Sequence, residues 1–207
     1  LVSDIDDTVM VSHSATIFRR LRELLTKNPR ARHQFQDLSK YYQLLALADT
    51  NTETPNPFFY VWGSEWNLFD YLDEFFTYNK LPKGIFLLSQ LKYGWQLLLT
   101  GKNKHAGKLE RITRLLDVFP KQQFILLGDN SQHDPFIYTT IAKNFPGRIF
   151  GIYIRNVRKE KAGASAEILT GAREIGVKVC LFQETDEAVV HSRESGLVAK
   201  GITGHAH

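Results

Sequence analysis

Leu1-Val-Ser-Asp4-Ile-Asp6-Asp7-Thr8 and Phe124-Ile-Leu-Leu-Gly128-Asp129-Asn-Ser-Gln-His-Asp134-Pro135 share one layout: a short apolar run that ends in aspartates. A run of that length with charge only at its end reads as a strand buried on both faces, the kind found in parallel sheets. Residues two apart on a strand face the same way, so Asp4 and Asp6 project together. Active sites of open α/β sheets form beyond the carboxyl ends of their strands. If the two runs lie side by side, Asp4, Asp6 and Asp129 meet at one edge.

Working outward, further strand patterns fall at Phe58–Trp62, Ile85–Leu88, Ile149–Ile154 and Val177–Phe182, beside Leu1–Ile5 and Phe124–Leu127. Pro57, Gly84, Gly128 and Gly176 punctuate them. Helical spacing occupies the intervals. Trp66, Phe69, Leu72 and Phe76 form one stripe, and Leu109, Ile112, Leu115, Leu116 and Phe119 another that Pro120 stops. Phe136–Phe145, Ala164–Glu174 and Glu184–Glu194 read as helices too. Alternating strands and helices predict an α/β fold, Rossmann-like, with a mostly parallel sheet and helices on both faces. Ala48–Pro57 reads as a long loop, and Gly201–His207 as a disordered tail.

The composition agrees with a globular protein. Of 207 residues, 43% are hydrophobic and 23% charged, which excludes disordered, collagen-like and coiled-coil classes. No apolar run is long enough to span a bilayer. Leu1-Val2 leads straight into Ser3-Asp4 without a signal-peptide pattern, and so abrupt a start reads as a segment of a longer chain. One cysteine, Cys180, allows no intrachain disulfide, which favours a reducing, cytoplasmic setting. Ten of the 25 aromatic residues lie between Phe58 and Tyr78, a density that reads as core, with a groove for a lipid chain as the sharper alternative.

Charge is uneven. Between Met10 and Lys40, seven cations face only Glu23 and Asp37, a local balance of +5 within a total of +4. Such a segment attracts phosphates, anionic membranes or nucleic acid, or is simply a solvated helix face. No nucleic-acid motif accompanies it.

Two crowded carboxylates repel each other unless a cation or proton intervenes. One aspartate at a strand end is well explained as a helix cap; three are not. Asp134, before Pro135, also reads as an N-cap with proline at the first helical position. Hard oxygen donors suit Mg²⁺ rather than zinc. His133, between the acidic positions, either faces the pocket or is a solvated loop residue.

Asp4-x-Asp6-x-Thr8, a later lysine, and Gly128-Asp129 followed by Asp134 resemble the haloacid dehalogenase superfamily of phosphotransferases. More narrowly, Trp66-Asn-Leu68, Leu81-Pro-Lys-Gly84, Phe145-Pro-Gly-Arg148 and Tyr153-Ile-Arg155 make residues 1 to about 195 similar to the catalytic domain of actin-patch-associated phosphatidate phosphatases. The resemblance implies that Asp4 is a nucleophile forming an aspartyl-phosphate and that Asp6 is the general acid and then base. It implies a Mg²⁺ site of Asp4, the Asp6 carbonyl and Asp129, with Asp134 in support. Of Lys102, Lys104 and Lys108, Lys108 fits the family spacing best as the lysine that neutralises phosphate charge, although Gly107 stands where the family usually shows His. Thr8 and Ser64 are the implied phosphate contacts. Ser64 substitutes for a serine that the family places where this chain has Trp62.

These readings predict a Mg²⁺-dependent phosphatase acting on a phosphomonoester, phosphatidate or a related lipid phosphate. A phosphate- or lipid-binding module with little turnover is the alternative that Trp62 favours. Residues 1–200 form one catalytic domain in this reading, with about 9–57 as a small helical cap-like insertion whose apolar stripe is Phe18, Leu21, Leu24 and Leu25. Beside an open site, Arg19, Arg20 and Arg22 are expected to give peripheral contact with an anionic membrane surface.

Overall fold

A computed structural model describes residues 1–4, 29–61, 69–87 and 104–199. In chain order these form β1 (Val2–Asp4), α1 (Pro29–Ala46), β2 (Phe58–Val61), α2 (Phe69–Tyr78), β3 (Gly84–Leu87) and α3 (Lys104–Val118). Then come β4 (Phe124–Asp129), α4 (Asp134–Asn144), β5 (Ile149–Arg155), a 3₁₀ turn (Lys159–Lys161), α5 (Ala162–Arg173), β6 (Lys178–Phe182) and α6 (Thr185–Glu194). Every strand pattern read from the sequence is a strand here, within a residue or two at the ends.

The six strands form one sheet in the order β3-β2-β1-β4-β5-β6. Every neighbouring pair is parallel. The direction of winding reverses between β1 and β4. That switch point opens a crevice at the carboxyl ends of the strands, where Asp4 and Asp129 stand as the last residues of β1 and β4. Val2 pairs with Phe59 on one side and Leu126 on the other, and Ser3 with Leu127, so β1 is central and its backbone is held from both sides.

Strand alternation sorts the side chains onto two faces. Val2, Phe59, Leu126, Ile152 and Ile154 pack with Ile112 and Leu116 of α3, Ile137, Tyr138 and Ile141 of α4, and Leu169 and Ala172 of α5. Phe58, Tyr60, Leu127, Tyr153 and Phe182 pack on the opposite face with Tyr41, Tyr42 and Leu45 of α1, Phe75 and Phe76 of α2, and Ala188 of α6. The result is a three-layer α/β sandwich of Rossmann type. The aromatic run supplies both layers: Phe59 joins one core, and Phe58, Tyr60, Phe75 and Phe76 the other, with Tyr60 edge-on to Phe76 at 4.6 Å between ring centroids.

Helix α1 occupies the second half of the 9–57 stretch. Its Tyr41 and Tyr42 are buried because each hydroxyl has a partner, Ser192 Oγ and Ser3 Oγ, both at 2.8 Å. Tyr42 also stacks on Phe58, with centroids 5.4 Å apart. The apolar stripe Phe18–Leu25 and the arginines 19, 20 and 22 lie outside the described residues, as does the tail 201–207. The helix that follows Gly147 and β5 ends before Gly176, whose φ of +86° lets the chain turn into β6. No helix among the described residues is long and apolar enough to cross a membrane.

Candidate active site

Asp4 ends β1 with its side chain on the α3/α4 face, the same side as Val2 two residues earlier. There it meets Lys108 of α3: Nζ lies 2.8 Å from Asp4 Oδ2 and 2.5 Å from Asp134 Oδ1. The side chains of Lys108 and Asp4 are only 5% and 4% exposed. A buried ammonium between two carboxylates is a strongly coupled group. Burial works against the lysine charge, but Asp134 and Asp4, by charge and hydrogen bonding, outweigh it and hold the Lys108 pKa above its ordinary value. For Asp134, burial and then the Asp4 charge push the pKa well up, opposed by Lys108.

Asp134 is the first residue of α4, and the N-cap position belongs to His133, whose side chain makes no capping bond. The capping role considered for Asp134 is therefore corrected. Its Oδ1 takes Lys108, and its Oδ2 accepts the Asp129 N–H at 3.3 Å. Pro135, within the first turn, donates nothing and leaves this arrangement undisturbed. Gly128 makes it possible: a Cβ there would fall on Asp134 Oδ2 and 3.0 Å from the Tyr138 ring. His133 itself is exposed and is not among the residues lining the cleft.

Asp129 ends β4 with its carboxylate toward the α1 face, following Leu127. Its Oδ1 accepts the Ser131 N–H at 2.7 Å, an Asx-type turn that fixes the loop into α4. Asp4 Oδ1, by contrast, is buried with no hydrogen-bond partner among the described residues. A buried carboxylate oxygen left unpaired carries a desolvation penalty of about 1–3 kcal/mol or more, so natural structures keep one where a ligand supplies the partner. The residues fit a hard cation on this ground: an orphaned Asp4 oxygen and the Asp129 carboxylate stand at adjacent strand ends, both oxygen donors. Among the described residues no group of three or more His, Cys, Asp or Glu is arranged to hold a metal ion. Asp6, Thr8, Ser64, Trp62 and Lys102 lie outside the described residues, and of Lys104 only the backbone is described.

A cleft opens at the switch point, lined by Asp4, Leu127, Gly128 and Arg155 from the sheet and by Leu38, Tyr41 and Tyr42 from α1. Burial raises the Tyr42 pKa to about 12, partly offset by the bond to Ser3, so its hydroxyl stays protonated at neutral pH. Two further residues of this region carry no site role in the sequence motifs, although Tyr153-Ile-Arg155 is one of the segments behind the family resemblance. Arg155 is the last residue of β5, paired in register with Asp129. Asn130 is 1% exposed and ties the chain after β5 to the chain after β4: its Nδ2 donates to Asn156 Oδ1 at 2.6 Å and to the Arg158 carbonyl at 2.9 Å, and its Oδ1 accepts the Arg158 N–H at 2.9 Å. Tyr153-Ile-Arg155 marks the family without giving the arginine a role, and the strand order reveals where Arg155 and Asn130 stand.

Residues 1–156 match the family model for the catalytic domain of phosphatidate phosphatase APP1. The chain is 31% identical over 156 residues to the phosphatidate phosphatase APP1 of Saccharomyces cerevisiae, covering 75% of this chain and 25% of that protein. It is 27% identical over 166 residues to an uncharacterized protein of Schizosaccharomyces pombe, covering 79% and 26%. The chain thus spans about a quarter of the length of the curated relatives it matches. No solved structure matches it. With the matched segment running from β1 through β5 and so containing Asp4, Lys108, Asp129 and Asp134, the chain belongs to the family of the phosphatidate phosphatase APP1 catalytic domain.

Proposed function

We propose that this chain is a Mg²⁺-dependent phosphatase of the haloacid dehalogenase type that hydrolyses a phosphomonoester, phosphatidate or a related lipid phosphate, through an aspartyl-phosphate on Asp4. One observation carries the reading: the Asp4 side chain is buried at the topological switch point with Oδ2 held by Lys108 and Oδ1 unpartnered among the described residues. A carboxylate restrained at one oxygen and open at the other is suited to attack an electrophile or bind a cation.

In this mechanism the Asp4 carboxylate attacks the phosphorus. The bond from phosphorus to the alcohol oxygen breaks as Asp6 gives that oxygen a proton. Water then attacks the phosphorus of the aspartyl-phosphate while Asp6 takes the water proton. The bond to Asp4 breaks, freeing inorganic phosphate and restoring the carboxylate. Lys108, fixed by Asp134, opposes the negative charge gathered around the transferring group, and Thr8 and Ser64 donate hydrogen bonds to it. Asp4, Asp129 and the Asp6 carbonyl would hold Mg²⁺, with Asp134 behind them; when bound, the ion offsets phosphoryl charge as a Lewis acid. Arg19, Arg20 and Arg22 would draw the domain to an anionic lipid surface by charge, without insertion.

A panel of phosphatidate, lysophosphatidate, sugar phosphates and nucleotides tests this. Phosphate release from the lipid substrates, lost in chelator and restored by Mg²⁺, is the expected result. Binding of phosphate without release from any member of the panel replaces the enzyme with a binding module.

A further inference from the structure

We infer that the guanidinium of Arg155 binds the phosphoryl oxygens of the substrate in the switch-point cleft. The inference rests on the phosphatase reading and adds to it a phosphate ligand from the far side of β4.

The placement comes from the sheet. Arg155 is paired in register with Asp129, so it stands level with the carboxyl edge that carries the acidic residues. It shares a face with Tyr153, which packs against α1, and with Asp4 and Tyr42 it lines the cleft. It is half-buried, yet among the described residues its side chain has no hydrogen bond or ion pair, although an acidic residue sits opposite it on the adjacent strand. A cross-strand pair of opposite charge ordinarily closes. A guanidinium left open over a cleft has five donors available to a ligand.

Charge gives the ligand its class. Lys108 already serves two carboxylates, Asp4 and Asp134, with Asp129 beside them. A phosphate dianion arriving there meets the negative charge of these carboxylates, and a further cation facing it opposes that repulsion. Among the described residues that line the cleft, Arg155 is the one cation. The planar fork of arginine matches two phosphate oxygens at once, which a lysine cannot do.

Rigidity of the backbone makes the residue a prepared ligand rather than a mobile surface arginine. The Arg155 carbonyl accepts the N–H groups of Asn130 and Val157, both at 3.1 Å, and the next N–H, of Asn156, donates to the Phe182 carbonyl at 2.7 Å. The Asn130 side chain locks the residues just beyond. Fixing the root of the side chain lowers the entropy lost when the phosphate is bound.

The test uses the chain with Arg155→Gln and Arg155→Lys, and inorganic phosphate as the probe. Its inhibition constant is measured against a small soluble phosphomonoester and against phosphatidate in mixed micelles, alongside thermal unfolding. Arg155→Gln should raise the phosphate inhibition constant and the KM of both substrates about tenfold or more, the scale of one charge-assisted contact. Arg155→Lys should recover part of this. If Arg155→Gln fails to fold, a rise of about threefold or more in Arg155→Lys supports the inference, and a wild-type value overturns it. An unchanged phosphate constant in a folded variant, with wild-type turnover intact, overturns the inference and leaves the phosphatase reading standing. An effect on phosphatidate alone also overturns it, since Arg155 would then hold another part of the lipid. A wild-type chain that neither hydrolyses nor binds phosphate overturns both.

Discussion

Gly128 lies directly under the carboxylate of Asp134, so close that a Cβ at position 128 would occupy the place of Oδ2. The contact is between a strand paired on both sides and the buried first residue of the following helix, so neither can retreat without moving the other. Gly128→Ala should therefore displace Asp134, and through it Lys108 and Asp4. The expected cost is about 1–3 kcal/mol in unfolding free energy, with a larger loss of phosphate release than the stability change explains. Denaturant unfolding alongside kcat checks this; wild-type values for both would show that the close approach has no bearing on the site.

Asp4→Asn should separate activity from stability. The nucleophile is lost, so phosphate release falls by about a thousandfold or more. The fold, however, gains: Lys108 keeps Asp134 as its partner, and an excess negative charge leaves a buried cluster. Unfolding temperature should stay level or rise, as is common where an active site stores unfavourable charge. A variant that retains turnover contradicts the nucleophile assignment.

Lys108→Met takes the opposite direction. It leaves Asp4 and Asp134 as two buried carboxylates without a cation, which costs about 3–5 kcal/mol. Adding Asp134→Asn to Lys108→Met should return a substantial part of that loss. Equal stability of the single and double variants in urea would show that the triad is not coupled.

Alkaline pH should destabilise the fold. Tyr42 is held near 12 by burial, and burial likewise raises Tyr41, Tyr60 and Tyr138. In the unfolded chain these phenols lose protons at about pH 10. Below that the folded and unfolded states bind equal numbers of protons. Above it the unfolded state binds fewer, and stability falls with each further pH unit. Tyr42 alone accounts for about 3 kcal/mol between pH 10 and 12. Unfolding temperatures measured from pH 8 to 11 should be flat and then drop, with a shallower drop in Tyr42→Phe. A flat profile throughout would contradict the burial of these hydroxyls.

Strands and the aspartates at the ends of β1 and β4 were legible in the sequence for the same reason: a buried parallel strand is an unbroken apolar run, and an aspartate at its end interrupts it visibly. Lys108 was preferred over Lys102 and Lys104 on the family resemblance, by its spacing to Leu109 and Ile112. Helix α1 was not legible. The helical pattern read at Phe18–Leu25 lies outside the described residues; the described helix, Pro29–Ala46, buries Tyr41, Tyr42 and Leu45 near its end and is otherwise polar. Those tyrosines become core residues only because Ser3 and Ser192, distant in sequence, satisfy their hydroxyls. Arg155 was legible only as part of the Tyr153-Ile-Arg155 family segment, without a role. Its significance lies in being paired with Asp129, and pairing between strands is a property of the sheet order rather than of any local pattern.

The central position of β1 has a consequence for synthesis. Asp4 leaves the ribosome 125 residues ahead of Asp129, an interval on the order of 10 s at cellular elongation rates. Until β4 emerges, β1 lacks one of its two neighbours, and a nascent sheet of β3, β2 and β1 would present the β1 edge, with its backbone groups unpaired, to any passing strand. A chain stalled after α3 would thus expose a sticky edge and an incomplete acidic site at once, and release of a chaperone bound there should coincide with the arrival of Phe124–Asp129.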